Sequence, residues 1–196
     1  MVEVAQDWMT LSLGTVREGV DAAAVQTQLK AALEAALAVA KPAVTADGMV
    51  LRTGNFSLYP RHGRDGKING WQGSVELTLE GKDFDRITTT AGKVQTLTLN
   101  GVSFGLSPVA RTGLEASLQS QAIDRFKAKA QAVATAFGFG GYQLLQVNVG
   151  AVDNPGSGPR PMVAMAARSA LSEAAVPAEA GRSQVSLSVS GTVRLK

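Results

Sequence analysis

An α+β fold, in which a sheet packs against helices, follows from three features of the 196-residue sequence. Several stretches alternate apolar and polar residues with the period of a half-buried strand. Others repeat apolar residues every three or four positions between capping signals, the pattern of a helix lying on a core. The two kinds interleave along the chain, as when one sheet is assembled from segments separated by helices.

"WMTLSLGTV", Trp8–Val16, reads as the first strand, with Met9, Leu11 and Leu13 on one face and Thr10 and Ser12 on the other. Asp21 is placed to cap a helix of about five turns that Pro42 stops, with Val20 and Val25 positioned to staple its start. Val25, Leu29, Leu33, Ala36, Leu37 and Ala40 line its apolar stripe. Met49–Tyr59 is extended again, with Gly54 interrupting the alternation as a bulge would. Val75, Leu77 and Leu79 alternate with Glu76, Thr78 and Glu80, so this strand and the preceding one should form a hairpin. In "KDFDRITTTAGKV", Asp83 or Asp85 can cap a short helix. The next strand, "VQTLTLNGVSFGL", changes apolar phase across Gly101, which calls for a second bulge.

These six elements run β-α-β-β-α-β, the order of a split βαβ, ferredoxin-like unit. A long helix and two strands extend it. Ser107 and Pro108 occupy N-cap and N1, and Leu114, Leu118, Ala122, Phe126, Ala130, Val133 and Phe137 form a face that a sheet or another subunit should cover before Gly138 ends the helix. "YQLLQVNV" is one strand and "QVSLSVSGTVRLK" the other, with Val185, Leu187, Val189, Val193 and Leu195 on one side. A Pro/Gly/Ala-rich loop at about 151–182, with room for a short helix over Val163–Glu173, separates them within a single domain spanning 1–196.

Composition removes several chemistries. With 45% hydrophobic and 18% charged residues the chain can bury enough apolar surface to fold. The pI of 9.4 comes from a small, scattered excess of 19 Lys and Arg over 16 Asp and Glu, and aromatics make up only 5%, so no nucleic-acid-tracking stripe is present. Zero cysteines exclude disulfides, thiolate nucleophiles and sulfur-ligated zinc. No apolar run is long enough for a transmembrane helix.

The stretch "GNFSLYPRHGRDGKINGW", Gly54–Trp71, concentrates the functional candidates. Asp65, Asn69, Gly70 and Glu76 fall at positions 1, 5, 6 and 12 of a calcium loop, but Lys67 takes position 3 and the flanks are strands. His62 is the chain's one histidine and has no companion for a metal site or a serine nucleophile. "FGFGG" follows a helix instead of leading into one, so it is a C-cap and not a phosphate loop, and no cofactor is expected. Asp83 and Asp85 are better used as helix caps than as an acid/base pair. Tyr59, Arg61, His62, Arg64 and Trp71 are the candidate contacts with a partner or a small anion.

"DWMTLSLGT", "TGNFSLYP" with "GKINGWQGSVELTLEGKDFDRI", "GVSFGLS", "AIDRFKAKAQAVATAFG" and "SQVSLSVSGTVRL" together resemble the SIMPL-domain family of bacterial envelope proteins, with Trp71 in place of the family's tyrosine. The resemblance covers nearly the whole chain. It implies a periplasmic or outer-membrane-associated protein made with a cleaved signal absent from this chain, linked loosely to envelope or oxidative stress. It supplies no catalytic residues. The expectation is therefore a non-enzymatic protein acting by homo-oligomerisation or by contact with an envelope partner. The alternative is a small-molecule or anion-binding module built on the basic hairpin around Arg61–Arg64.

Overall fold

The computed structural model describes residues 2–46, 48–151 and 179–196. The chain divides into two compact units, one centred on residues 7–105 and the other on residues 2–6, 106–151 and 181–196. The proposed helix over Val163–Glu173 lies outside the described residues.

Residues 7–105 form the split βαβ unit. Counting the short N-terminal strand β1 (Val2–Ala5) of the other unit, its elements are β2 (Trp8–Gly19), α1 (Ala22–Ala40), β3 (Met49–His62), β4 (Ile68–Gly81), α2 (Phe84–Lys93) and β5 (Thr98–Gly105). The sheet order is β3-β4-β2-β5, and every neighbouring pair is antiparallel. β4 thus sits between the two strands that α1 connects, as the element order requires.

Alternation decides which face is buried. Met9, Leu11 and Leu13 of β2 and Val75, Leu77 and Leu79 of β4 lie inward with Val25 and Leu29 of α1 and Ile87 of α2, all at most 2% exposed. Removing each such side chain from water is worth about 1.5–3 kcal/mol. Asp21 caps α1, its Oδ2 accepting from Ala24 N at 2.8 Å, and Pro42 sits in the 3-10 turn that follows. The staple from Val20 does not form. Val20 is 86% exposed, and Val25 packs against the Gly19 backbone instead.

Both bulges are present, between Thr53 and Phe56 in β3 and opposite Ser12/Leu13 in β5, where Gly101 and Leu99 pair on either side of the extra Asn100. Each restores the inward phase of the apolar residues beyond it. The outer face of the sheet is mostly polar, with exposed Val16 and Tyr59 among groups paired across strands. Ser12 donates to Glu76, Ser57 and Ser74 hydroxyls lie 2.9 Å apart, and Arg52 pairs with Glu80 at 2.6 Å.

The second unit contains β1, α3 (Pro108–Ala136), β6 (Tyr142–Val149), β7 (Arg182–Val185) and β8 (Val189–Leu195). Ser107 caps α3, with its Oγ accepting from Ala110 N at 3.2 Å, and Pro108 follows at the first helical position. At the other end Gly138 has φ +80°, and two bonds close the helix: Phe139 N to Ala134 O at 2.9 Å and Gly138 N to Thr135 O at 3.0 Å. That is a Schellman cap.

The closing strand read from Gln184 onward is in fact two. β7 pairs with β1, and β8 pairs with β6, each as an antiparallel two-stranded ribbon. Gln6 locks the first ribbon, its side chain donating to Ser183 Oγ at 3.0 Å and accepting from Gly181 N at 3.1 Å. Leu106, Leu118 and Val185 form the core beside Val2, Val4 and Leu187, and further along α3 Ala130 and Ala134 are buried.

Candidate functional site

The basic hairpin forms as the turn residues dictate. Gly63 N donates to Lys67 O at 2.8 Å and Gly66 N to Gly63 O at 3.0 Å, and Gly66 takes φ +75°, which a three-residue hairpin connection needs. Asp65 Oδ1 accepts from Lys67 N at 3.2 Å, so this would-be calcium ligand serves the turn. Glu76 lies eight strand positions beyond Ile68, roughly 26 Å along β4, and accepts from Ser12. One ion cannot be held by both.

The five candidate residues do not converge. Tyr59 and Arg61 share the outer face of the sheet, where Arg61 reaches across Gly70 of β4 to form an ion pair with Glu18 of β2. Trp71, two positions before buried Gly73, points to the opposite, helix-covered face and packs partly against the core. His62 ends β3, and Arg64 is in the turn; both are exposed. Arg61 is thereby paired at the surface, and the loop gathers no shared pocket from these side chains. Asp83 caps α2, accepting from Arg86 N at 3.0 Å and from Arg86 Nε at 2.9 Å. The guanidinium hydrogen bond, followed by the backbone one, lowers its pKa below the ordinary carboxylate value.

The surface that stands out is elsewhere, on β6. Its register with β8 is Tyr142↔Leu195, Leu144↔Val193, Val147↔Gly191 and Val149↔Val189, with Leu145 as an extra, bulged residue. Both ends of the ribbon are tied. Gly141 and Lys196 exchange backbone bonds of 3.0 and 2.9 Å, and Gly150 N donates to Ser188 O at 2.9 Å. Yet Leu144, Leu145, Val147 and Val149 are exposed by 45, 52, 44 and 41%. The same unit leaves Val133 38% and Phe137 73% exposed at the end of α3, so the apolar face read from the sequence is covered along only part of its length. Among the described residues β6 pairs with β8 alone, so its other edge carries no described strand. Alternation alone placed β6; its lack of cover could not be read without its partner strand.

Among the described residues no group of three or more His, Cys, Asp or Glu could hold a metal ion, and no helix is long and apolar enough to cross a membrane.

A split βαβ sheet unit joined to a long helix with antiparallel ribbons defines a two-unit α+β protein. The sequence matches the family SIMPL, described as "Protein of unknown function (DUF541)", over residues 1–193, and the chain belongs to that family. No curated protein matches it. One solved structure, "The crystal structure of AtUAH in complex with glyoxylate", is 17% identical over 63% of this chain at a TM-score of 0.33. The chain spans 33% of that protein's chain, and so loose a likeness bears on neither fold nor function.

Proposed function

We propose that this protein is a non-enzymatic component of the bacterial cell envelope, periplasmic or outer-membrane-associated, that works by self-assembly through β6 and serves in the response to envelope or oxidative stress. The observation that carries the assembly reading is the row Leu144, Leu145, Val147 and Val149, 41–52% exposed on a strand with an open edge. Apolar residues on an unpaired edge template pairing with another strand. A second copy laid antiparallel along β6 would turn two two-stranded ribbons into one four-stranded sheet and set the apolar row of one copy beside that of the other as cross-strand neighbours. The envelope location is supported by the family resemblance alone.

The absence of cysteine supplies a clean test. Gln143, Gln146 and Asn148 point to the side of β6 opposite its apolar row, and each can be replaced singly by cysteine. A disulfide forms only where two Cβ atoms come within about 3.5–4.5 Å. Mild oxidation should give a linked dimer in high yield for one of the three. Equal yields from Ala116→Cys, at an exposed position on α3, would mean random collision and would sink the proposal.

A further inference from the structure

The middle of α3 borders a groove that the β6 surface does not include. β7 leaves its partner at Val185, paired with Val2, and β8 meets a different partner at Val189, paired with Val149. Between them Ser186–Ser188 passes beside α3, where Leu187 packs against the cluster that holds Leu118. Ala122, a small residue one turn from Leu118 and one from Phe126, leaves space beside that segment, and Leu187 and Val189 face it. The result is a groove of about 220 Å³ with an apolar floor.

Its rim is charged on one side. Arg125 and Lys129 line it four residues apart on α3, so both side chains stand over the same opening one turn from each other. Both are exposed, and among the described residues neither takes part in an ion pair. An apolar slot with two adjacent cations at its mouth matches a ligand with an alkyl chain and an anionic head. Arginine suits a carboxylate in particular, because its forked donors bind both oxygens. At about 220 Å³ the groove falls below the roughly 300–1,000 Å³ of sites for drug-sized ligands, which favours a short or medium alkyl chain.

We infer that the groove between α3 and the β7–β8 connection binds a medium-chain fatty carboxylate, its chain on Leu118, Ala122 and Phe126 and its head on Arg125 and Lys129. The inference stands apart from the assembly reading, because it uses a different surface of the same unit.

Titration of the full chain with sodium octanoate, followed by NMR of leucine and valine methyls and of backbone amides, tests it. Saturable shifts are expected at Leu118, Ala122, Phe126, Leu187 and Val189, with octanol weaker by about tenfold or more because it lacks the charge. Arg125→Glu with Lys129→Glu changes only exposed side chains, so the fold should persist. It should weaken octanoate by about tenfold or more and admit octyltrimethylammonium, which the wild type refuses. Ala122→Phe should block the chain while leaving the charges, and if it fails to fold the charge reversal still decides. No saturable shift in the groove would overturn the inference. So would shifts of equal strength for all three head groups, or shifts indifferent to charge reversal, since those would be apolar adhesion.

Discussion

In residues 7–105 a four-stranded sheet carries two helices on one face, and sixteen hydrophobic side chains are buried in one continuous cluster. In the unit built on α3, a helix of 29 residues lies against two described ribbons of two strands each, and among the described residues its cluster has three buried members. The apolar periodicity is about as regular in both. Width makes the difference: neighbouring strands are about 4.8 Å apart and a helix with its side chains is about 10 Å across, so a ribbon of two strands is hidden by one helix only where the helix runs over it. A four-stranded sheet accommodates two helices side by side and buries its apolar face. The outer face of that sheet is mostly polar, with Arg61–Glu18, Arg52–Glu80 and Ser12–Glu76 paired across strands, and its exposed Val16 and Tyr59 stand apart from one another. Among the described residues the ribbon unit has exposed apolar residues and a strand edge without a neighbour, and it is there that self-assembly is proposed.

Core truncation separates the two units most strongly. Leu77→Ala should cost about 2–5 kcal/mol, because Leu77 is fully buried among close-packed neighbours. Leu118→Ala, beside an existing groove into which neighbours can relax, should fall at the low end of that range, about 2 kcal/mol. Both tryptophans, Trp8 and Trp71, lie in residues 7–105, so their fluorescence during denaturation reports that unit alone; amide hydrogen exchange along α3 reports the other. Equal costs would erase the contrast. Next comes Gly81→Ala, where a Cβ would stand 2.0 Å from Gly48 O on a backbone with φ +157°. A penalty of about 3 kcal/mol is expected in urea unfolding, and a neutral result would mean the Gly48–Gly81 approach is loose.

Smaller effects probe the helix starts. Ser107→Ala removes a buried cap from α3 and should lower stability by about 1 kcal/mol, seen as faster exchange in the first turn. Asp83 gives a pH effect whose sign is fixed by its lowered pKa. The unfolded carboxyl protonates first as pH falls, so the contribution is present above the ordinary carboxylate pKa and is lost as pH drops through the lowered folded value. Asp83→Asn keeps a capping oxygen, so it should flatten the fall in melting temperature between neutral and acidic pH slightly. An unchanged acid limb would contradict the Arg86 pairing as its cause.

The sequence carried the split βαβ unit well because its signals are local. Asp21, Asp83, Ser107 and Gly138 mark helix ends through bonds to residues at most a few positions away, and the glycines in β3 and β5 mark bulges by breaking alternation. Pairings between distant segments left no such trace. β1 is four residues long and meets β7 across most of the chain, so nothing near Val2–Ala5 announces it. For the same reason the run from Gln184 read as one strand: its alternation continues through Leu187, while its hydrogen-bond partner changes there. The hairpin candidates were legible as a group in sequence, but strand parity sends Tyr59 and Trp71 to opposite faces, and Glu18, which claims Arg61, lies far away in the chain.

Self-assembly through β6 is tested most directly by the molar mass in solution from light scattering, over a dilution series, for the wild type and for Leu145→Glu with Val147→Glu. Both sites are surface positions, so the double variant should keep its thermal stability as a monomer within about 1 kcal/mol. Assembly through β6 should give a wild-type mass of two or more times 20.3 kDa that the double variant reduces to the single-chain value. A wild type that remains at 20.3 kDa at the highest concentration, or an oligomer that the two glutamates leave intact, would contradict it.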